Sequence, residues 1–303
     1  MFDYSYNVAY VSAKEPSILS RETLSRMAQD RADGVRQLMQ AGYGTEGSTV
    51  SALVDGELSA LRAFMMTALP EQLYKLLILP YDAHNLKVLL KCTVSGADPA
   101  PYLYDNTVFD TEIVAACCRG GEFSLLSDGI AAVLDPAYDD GSLSAPFGIS
   151  TAVDRVMRAE MTALASTAPE PIRDFITAET DGKNFTSYLR AQNAGLSRET
   201  LAQVLLPGGA VPHEIYFTAF ENNAADLTAY TFGCDAHDAF AKAAERAKIS
   251  VPYAADALDE YAISKLLPFK YETNSPVPLF LYFKKKTAEA RHIREAFATG
   301  GSV

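Results

Sequence analysis

The sequence predicts an all-α protein. Apolar residues recur at helical spacing almost throughout the chain, as in Leu86, Leu89, Leu90 and Val94, which form the stripe of one buried helix face. Alternation of apolar and polar residues with turn dipeptides, the pattern of strands, is almost absent. Proline and glycine mark short connections between the helices. The predicted loops are residues 96–101, 135–146 and 207–209.

Breaks in the apolar pattern give the helices in order. A helix over residues 53–69 ends at Pro70, a short helix follows from residue 73 to Pro80, and a further helix begins at Asp82. The later helices are predicted at about residues 151–168, 170–179, 184–193, 198–206, 212–220, 236–247, 253–267 and 277–298.

Internal repetition suggests how these helices are organised. The string Leu-Ser-Arg-Glu-Thr-Leu occurs at residues 19–24 and again at 196–201, and an asparagine precedes each copy by twelve positions. A second repeat places an aspartate twelve positions after a proline and an asparagine three positions after that aspartate. Its two copies are Pro70, Asp82 and Asn85, and Pro169, Asp181 and Asn184.

The repeats predict three similar helical domains around a pseudo-threefold axis, with the two chain ends combining into one of them. The N-terminal copy lacks a long helix ahead of it, and the last stretch of the chain supplies one, with His292 where the asparagine is expected. The predicted domains are residues 1–50 with 250–303, residues 51–150, and residues 151–249.

Composition excludes several classes of protein. The 303 residues are 49% hydrophobic and 21% charged, which allows a sizeable core and excludes a disordered chain. A formal net charge of −12 works against unaided binding to nucleic acid or to an anionic membrane surface. The apolar stretches are too short to span a bilayer, so we expect any membrane link to run through a partner.

The most motif-like stretch, Asp82-Ala83-His84-Asn85, admits two interpretations. His84 could act as a base oriented by Asp82, or Asp82 and Asn85 could cap the N-terminus of a helix. The second copy keeps Asp181 and Asn184 but has lysine in place of the histidine. A repeated catalytic site would not be expected to lose its histidine, so capping is predicted. Ser20 and Ser197 are also predicted N-caps.

Other chemical candidates have ordinary structural explanations. The four cysteines, Cys92, Cys117, Cys118 and Cys234, form no CxxC pair, which favours a reducing compartment. Cys234 and His237 lack a second ligand pair for zinc. No phosphate-binding glycine motif is present. Turn or helix-surface roles are predicted for Asp139 and Asp140, and for Asp256, Asp259 and Glu260. We therefore expect no catalytic, cofactor-binding or metal-binding residues and no cofactor.

The last helix is locally basic within an acidic protein. It could be a solvated face, or, less favoured, a docking strip for an acidic partner. The cations concerned are Lys284, Lys285, Lys286, Arg291 and Arg294.

Several of these stretches together resemble one known family. The opening at residues 10–14 and 19–22, the helix start at 81–91, the break at 206–209 and the closing helix at 278–294 are similar to C subunits of archaeal and bacterial V/A-type ATPases, and so to the d subunit of eukaryotic V-ATPases. The resemblance covers the chain from about residue 5 to 298. The loop at 135–146 matches nothing in it.

The resemblance implies a non-enzymatic rotor subunit of a V/A-type rotary ATPase or ATP synthase. Such a subunit links the central-stalk subunits D and F to the membrane rotor ring and transmits torque for proton or sodium transport. It would be cytoplasmic and peripheral to the membrane, with no nucleic-acid partner and no direct bilayer insertion. The alternatives are a helical-repeat scaffold unrelated to ATPases and an all-α enzyme using the duplicated aspartates.

Overall fold

The computed structural model describes residues 3–44 and 49–299, and this part of the chain is helical without a strand. The all-α prediction is confirmed. The helices are α1 Ser5–Lys14, α2 Arg21–Gln29, α3 Arg31–Gln40, α4 Val50–Ala68, α5 Glu71–Ser95, α6 Thr111–Gly120, α7 Asp128–Asp139, α8 Pro146–Ala165, α9 Glu170–Asn193, α10 Arg198–Val204, α11 His213–Glu221, α12 His237–Ala247, α13 Val251–Ser264 and α14 Val277–Thr299.

Two predicted helix breaks are wrong. Pro80 lies inside α5, which runs unbroken through the predicted start at Asp82. A proline removes one backbone hydrogen bond, but the residues before it, from Leu76 to Leu79, are at most 3% exposed, and their burial holds the helix together. The predicted break between residues 179 and 184 is also wrong, because α9 runs through it. Gly182 lies in this stretch, and a Cβ there would lie only 3.0 Å from the Cβ of Leu258. This glycine serves close packing and not a break.

One predicted loop is longer than the loop in the structure. The prediction places a loop over residues 135–146, but α7 continues through Pro136 to Asp139. Only a short turn with a 3-10 segment, Ser142–Ser144, separates α7 from α8. The prolines in this stretch are misleading signals, because Pro146 occupies the first turn of α8, where no backbone N–H is needed.

Packing divides the chain into two compact units, residues 1–77 with 269–303, and residues 78–268. Both chain ends lie in the first unit, where α14 packs against α1, α2 and α4. In the second unit α9 packs against α8, α10 and α13, and α12 packs against α13. The aromatic centre of this second core includes Phe185 stacked on Phe240, with ring centroids 4.5 Å apart. The three predicted domain boundaries and the pseudo-threefold arrangement stay predictions.

Several basic residues of α14 pair with acids of their own unit. Lys286 is only 5% exposed. Its Nζ lies 2.7 Å from Glu289, 3.4 Å from Glu57 and 2.8 Å from the hydroxyl of Tyr43. We call Tyr43, Glu57, Lys286 and Glu289 the buried charge cluster.

Neighbouring cations of α14 also pair within the unit. Lys285 pairs with Glu15, and Arg294 pairs with Asp55 at 2.6 Å. Lys285, Lys286 and Arg294 therefore join α14 to α4 and to the segment after α1, so these three cations are not simply a solvated face. The docking strip stays a prediction.

No helix within residues 3–44 and 49–299 has both the length and the apolar character that crossing a bilayer requires.

The buried charge cluster predicts a large difference between adjacent lysines. Lys286→Met should lower the free energy of unfolding by roughly 3–5 kcal/mol, because it leaves the buried carboxylate of Glu289 without its cation. Lys285→Met is the control and should cost less than about 1 kcal/mol, since its pair with Glu15 is partly exposed. Urea unfolding followed by circular dichroism measures both. Equal losses would contradict a special role for the buried cluster.

Candidate functional site

The repeated aspartates lie in the middle of long helices and hold distant backbone. Asp82, in α5, accepts hydrogen bonds from the N–H groups of Val108 at 3.1 Å and Phe109 at 2.9 Å. Both carboxylate oxygens are used. Asp82 is 3% exposed, so the carboxylate and the two amides satisfy one another away from water.

The second copy repeats this geometry. Asp181, in α9, accepts from the N–H groups of Ala210 at 3.1 Å and Val211 at 3.0 Å, again through both oxygens. Asp181 is fully buried, with 0% exposure. The same residue type therefore performs the same task in two helices.

Each asparagine completes the arrangement with a two-way pairing to one backbone position. Asn85 donates to the carbonyl oxygen of Tyr104 and accepts from its N–H, both at 2.8 Å. Asn184 does the same with Leu206, at 2.9 and 2.7 Å. We call each Asp-x-x-Asn with the segment it binds an Asp-Asn clamp. In both clamps the aspartate binds the amides four and five positions after the residue held by the asparagine.

The predicted capping role of these four residues is wrong. An N-cap side chain bonds to free N–H groups in the first turn of its own helix, but these residues lie well inside α5 and α9, where those groups are already bonded. Residues three apart share one helix face, so a buried Asp-x-x-Asn needs partners from another segment. That spacing is the signal for a clamp. The predicted caps Ser20 and Ser197 are confirmed, and each accepts from a backbone N–H at 3.2 Å.

A histidine supports each clamped segment, and neither histidine is placed as a base. His84 Nε2 donates to the carbonyl oxygen of Tyr102 at 2.9 Å, two residues before the position held by Asn85. His213, in α11, donates to the carbonyl oxygen of Leu206 at 3.0 Å. Sequence reasoning does not identify His213, because it lies in a different helix from its clamp and shares no spacing with His84.

The second clamp explains the Pro-Gly-Gly at residues 207–209. A Cβ at Gly209 would lie 2.3 Å from Asp181 Oδ1, so only glycine lets the segment reach the carboxylate. Gly208 has a φ of +89°, and a Cβ there would lie 2.3 Å from Thr162 Oγ1. Gly209 is therefore required by the clamp, and Gly208 by its positive φ and its close approach to Thr162.

Burial changes the acidity of both clamp carboxyls. Removal from water raises the pKa of Asp82 and of Asp181 to about 6, and the hydrogen bonds from backbone amides oppose this rise only in part. Both oxygens of each carboxylate are occupied by backbone donors. This arrangement fixes a loop to the helix.

A cleft of 590 Å³ lies in the second unit and is lined by residues of α5, α8, α9 and α13, among others. Ion pairs form part of its wall. Lys87 lies 2.6 Å from Asp154, and Arg158 lies 2.9 Å from Glu179. Lys183 joins the same Glu179 at 3.4 Å. Sequence reasoning misses this cleft, because its charges come from helices far apart in the chain.

Three of the remaining sequence candidates, His237, Glu260 and Asp140, have protein partners. His237 Nδ1 lies 3.3 Å from the hydroxyl of Thr231, and Glu260 pairs with Lys242 and Arg246. Asp140 accepts from the N–H of Ser142 at 2.8 Å in a turn. In the part of the chain that the structure describes, no three His, Cys, Asp or Glu side chains gather as metal ligands would.

Comparison with known proteins gives one consistent match. Residues 8–296 match the family described as ATP synthase (C/AC39) subunit. The chain is 23% identical over 318 aligned positions to the C subunit of the A-type ATP synthase of Thermococcus kodakarensis, covering 96% of this chain and 85% of that protein. It is 20% identical over 294 positions to the C subunit of the V-type sodium ATPase of Enterococcus hirae, covering 94% and 90%.

The clamp geometry predicts that Asn184→Ala lowers the free energy of unfolding by roughly 2–4 kcal/mol, because two buried backbone groups of Leu206 lose their partner. Asn193→Ala, at the exposed end of the same helix, should change it by less than about 0.5 kcal/mol. Chemical unfolding measures both variants. A small effect at Asn184 would mean that the clamp does not hold this segment.

The raised pKa of Asp181 predicts a pH dependence of stability. Its pKa is about 6 in the folded state and 3.8 ordinarily, so between these values the folded chain binds a proton that the unfolded chain lacks. Lowering the pH from 7 to 5 should therefore add about 1 kcal/mol through this carboxyl. Asp181→Asn should be less stable but should lack this increment. Urea unfolding of both proteins at the two pH values tests it, and identical pH responses would refute it.

Proposed function

The chain belongs to the ATP synthase (C/AC39) subunit family, and we propose that it is the non-catalytic rotor subunit of a V/A-type rotary ATPase or ATP synthase. In this role it links the central-stalk subunits D and F to the membrane rotor ring. It transmits torque for proton or sodium transport. It is cytoplasmic, peripheral to the membrane through the complex, and binds neither nucleic acid nor the bilayer directly.

The observation that carries this proposal is the extent of the family match, residues 8–296. The two relatives, C subunits of an A-type ATP synthase and of a V-type sodium ATPase, align over 96% and 94% of this chain. An unrelated helical-repeat scaffold, the second candidate, would share helical periodicity but has no reason to align along its whole length. The comparison therefore favours the rotor subunit.

The clamps are physically suited to a part that transmits torque. A subunit that transmits torque with little elastic deformation needs rigid connections between its helices. Each clamp ties a connecting segment to the middle of a long helix by four hydrogen bonds from buried groups. Each carboxylate binds two backbone N–H groups through its two oxygens, which supports a structural role for both aspartates.

We extend the proposal to the architecture predicted from the repeats. The two clamps support the equivalence of residues 51–150 and 151–249, since each copy places its Asp-x-x-Asn in a long helix and binds a segment at matching offsets. The first domain would combine residues 1–50 with 250–303. Packing of α14 against α1, α2 and α4 supports this pairing of the chain ends.

The proposed role predicts that the purified chain retains two partners. Affinity-tagged protein, mixed with central-stalk subunits D and F and with detergent-solubilised rotor ring from the same cell, should hold both after washing. Size-exclusion chromatography and mass spectrometry of the retained material measure this. A Lys285→Met variant, altered only at a partly exposed ion pair, serves as a folded control. Retention of neither partner would leave the unrelated scaffold as the better interpretation.

A further inference from the structure

The cleft in the second unit contains a buried cation with an unused donor. Arg158, in α8, is 3% exposed and lines the cleft. Its Nη2 donates to Glu179 at 2.9 Å. Its Nη1 is buried and has no hydrogen-bond partner among the residues that the structure describes. Buried guanidinium N–H groups are rarely left unpaired, so this one points to an acceptor that a bound molecule supplies.

The charge around Arg158 favours an anionic acceptor. The cleft is lined by four cations and three carboxylates, although the chain as a whole carries a net charge of −12. Glu179 pairs with both Arg158 and Lys183, and Arg190 adds an exposed cation on α9. The cleft is therefore slightly positive within an acidic protein, which suits a carboxylate.

The apolar part of the lining favours a polypeptide over a small free anion. Two large apolar side chains at the cleft are exposed, Phe147 at 48% and Leu196 at 39%. Met157 and Met161 also line the cleft and are each 2% exposed, so they form its packed floor. An arginine surrounded by apolar and aromatic contacts is a common anchor of protein interfaces. A free acetate or phosphate would have no use for this apolar surface.

We infer that the cleft receives an apolar polypeptide segment of a partner and that Arg158 Nη1 donates to a carboxylate of that segment. This inference rests on the proposed function, because it takes the partner to be the central stalk. The occupant is thus recognised by two features together, apolar side chains against Phe147 and Leu196, and one acidic group directed at Arg158.

A conservative substitution tests the donor directly. Arg158→Lys keeps a cation beside Glu179 but removes the second terminal nitrogen. Its dissociation constant for the purified central-stalk subunits should rise by at least about tenfold, because a charge-assisted hydrogen bond is lost. Arg155→Lys is the matched control. Arg155 lies on the same helix, is exposed and donates to the carbonyl oxygens of Ala202 and Gln203. Its dissociation constant should stay within about twofold of the parent value.

A second pair of variants avoids any loss of folding at the buried site. Leu196→Glu and Leu196→Lys remove the same apolar contact from an exposed position and differ in the sign of the charge introduced. If a carboxylate enters the cleft, the glutamate variant should bind the stalk about tenfold more weakly than the lysine variant at low salt. Equal affinities of the two variants would overturn the inference.

Binding at this cleft can be observed with a single fluorophore, since the chain contains no tryptophan. In full-length Phe147→Trp, addition of the stalk should shift the indole emission to shorter wavelength, measured as a difference from the stalk alone. Acetate and inorganic phosphate at millimolar concentration should produce no shift. A shift with either anion alone that is lost in the combination with Arg158→Lys would identify a small-anion site and overturn the polypeptide occupant.

The outcomes separate the two proposals. If the stalk binds the parent chain but the indole emission is unchanged and Arg158→Lys binds as tightly as the parent, the cleft inference is wrong and the rotor assignment stands. If neither the stalk nor the rotor ring binds the parent chain, the rotor assignment is wrong and the cleft inference falls with it.

Discussion

Burial of backbone amides in the segments that follow long helices is the constraint on which the second unit depends. These segments pass beside a helix whose own hydrogen bonds are complete, so their N–H and C=O groups need side-chain partners. One aspartate and one asparagine, three residues apart on the same face, supply four bonds to each segment. Burying a carboxylate is costly, as the raised pKa of both aspartates reflects, but leaving two amides unpaired would be costly as well.

The clamp also limits where the neighbouring helices can go. Asp181 and Asn184 of α9 bind the segment at residues 206–211, while Glu179 of the same helix pairs with Arg158 of α8. Helix α9 is thereby held by polar contacts to two separate partners, in addition to its packing on α13, where Gly182 allows close approach to Leu258. The cleft beside Arg158 owes its shape to the same fixed helix, so its lining is arranged before anything binds.

What can be predicted from the sequence follows from how local each signal is. Helical periodicity and the serine caps at Ser20 and Ser197 depend on neighbours within one or two turns, and both predictions are confirmed. The Asp-x-x-Asn repeat is visible in the sequence, but its predicted role is confined to its own helix because its true partners lie 19 to 30 positions away. Pro80 and the lysines of α14 mislead for a related reason. Burial against residues distant in the sequence keeps the helix continuous at Pro80 and encloses Lys286 of α14. A single sequence does not show which residues will be buried together.

The first unit meets the same constraint with different residues. His292 occupies the position where the repeat has its asparagine, and three residues earlier Glu289 occupies that of the aspartate. Glu289 is 2% exposed and accepts from the N–H of Leu19 at 2.7 Å, so again a buried carboxylate on a long helix holds the backbone of another segment. Here the Nζ of Lys286 lies 2.7 Å from the Glu289 carboxylate, whereas no lysine or arginine within the described residues forms an ion pair with Asp82 or Asp181. Because Leu19 and Glu289 come from opposite ends of the chain, this bond is one of those that join the N-terminal and C-terminal segments. The acid is longer and paired with a cation, yet the physical task is the one performed by Asp82 and Asp181.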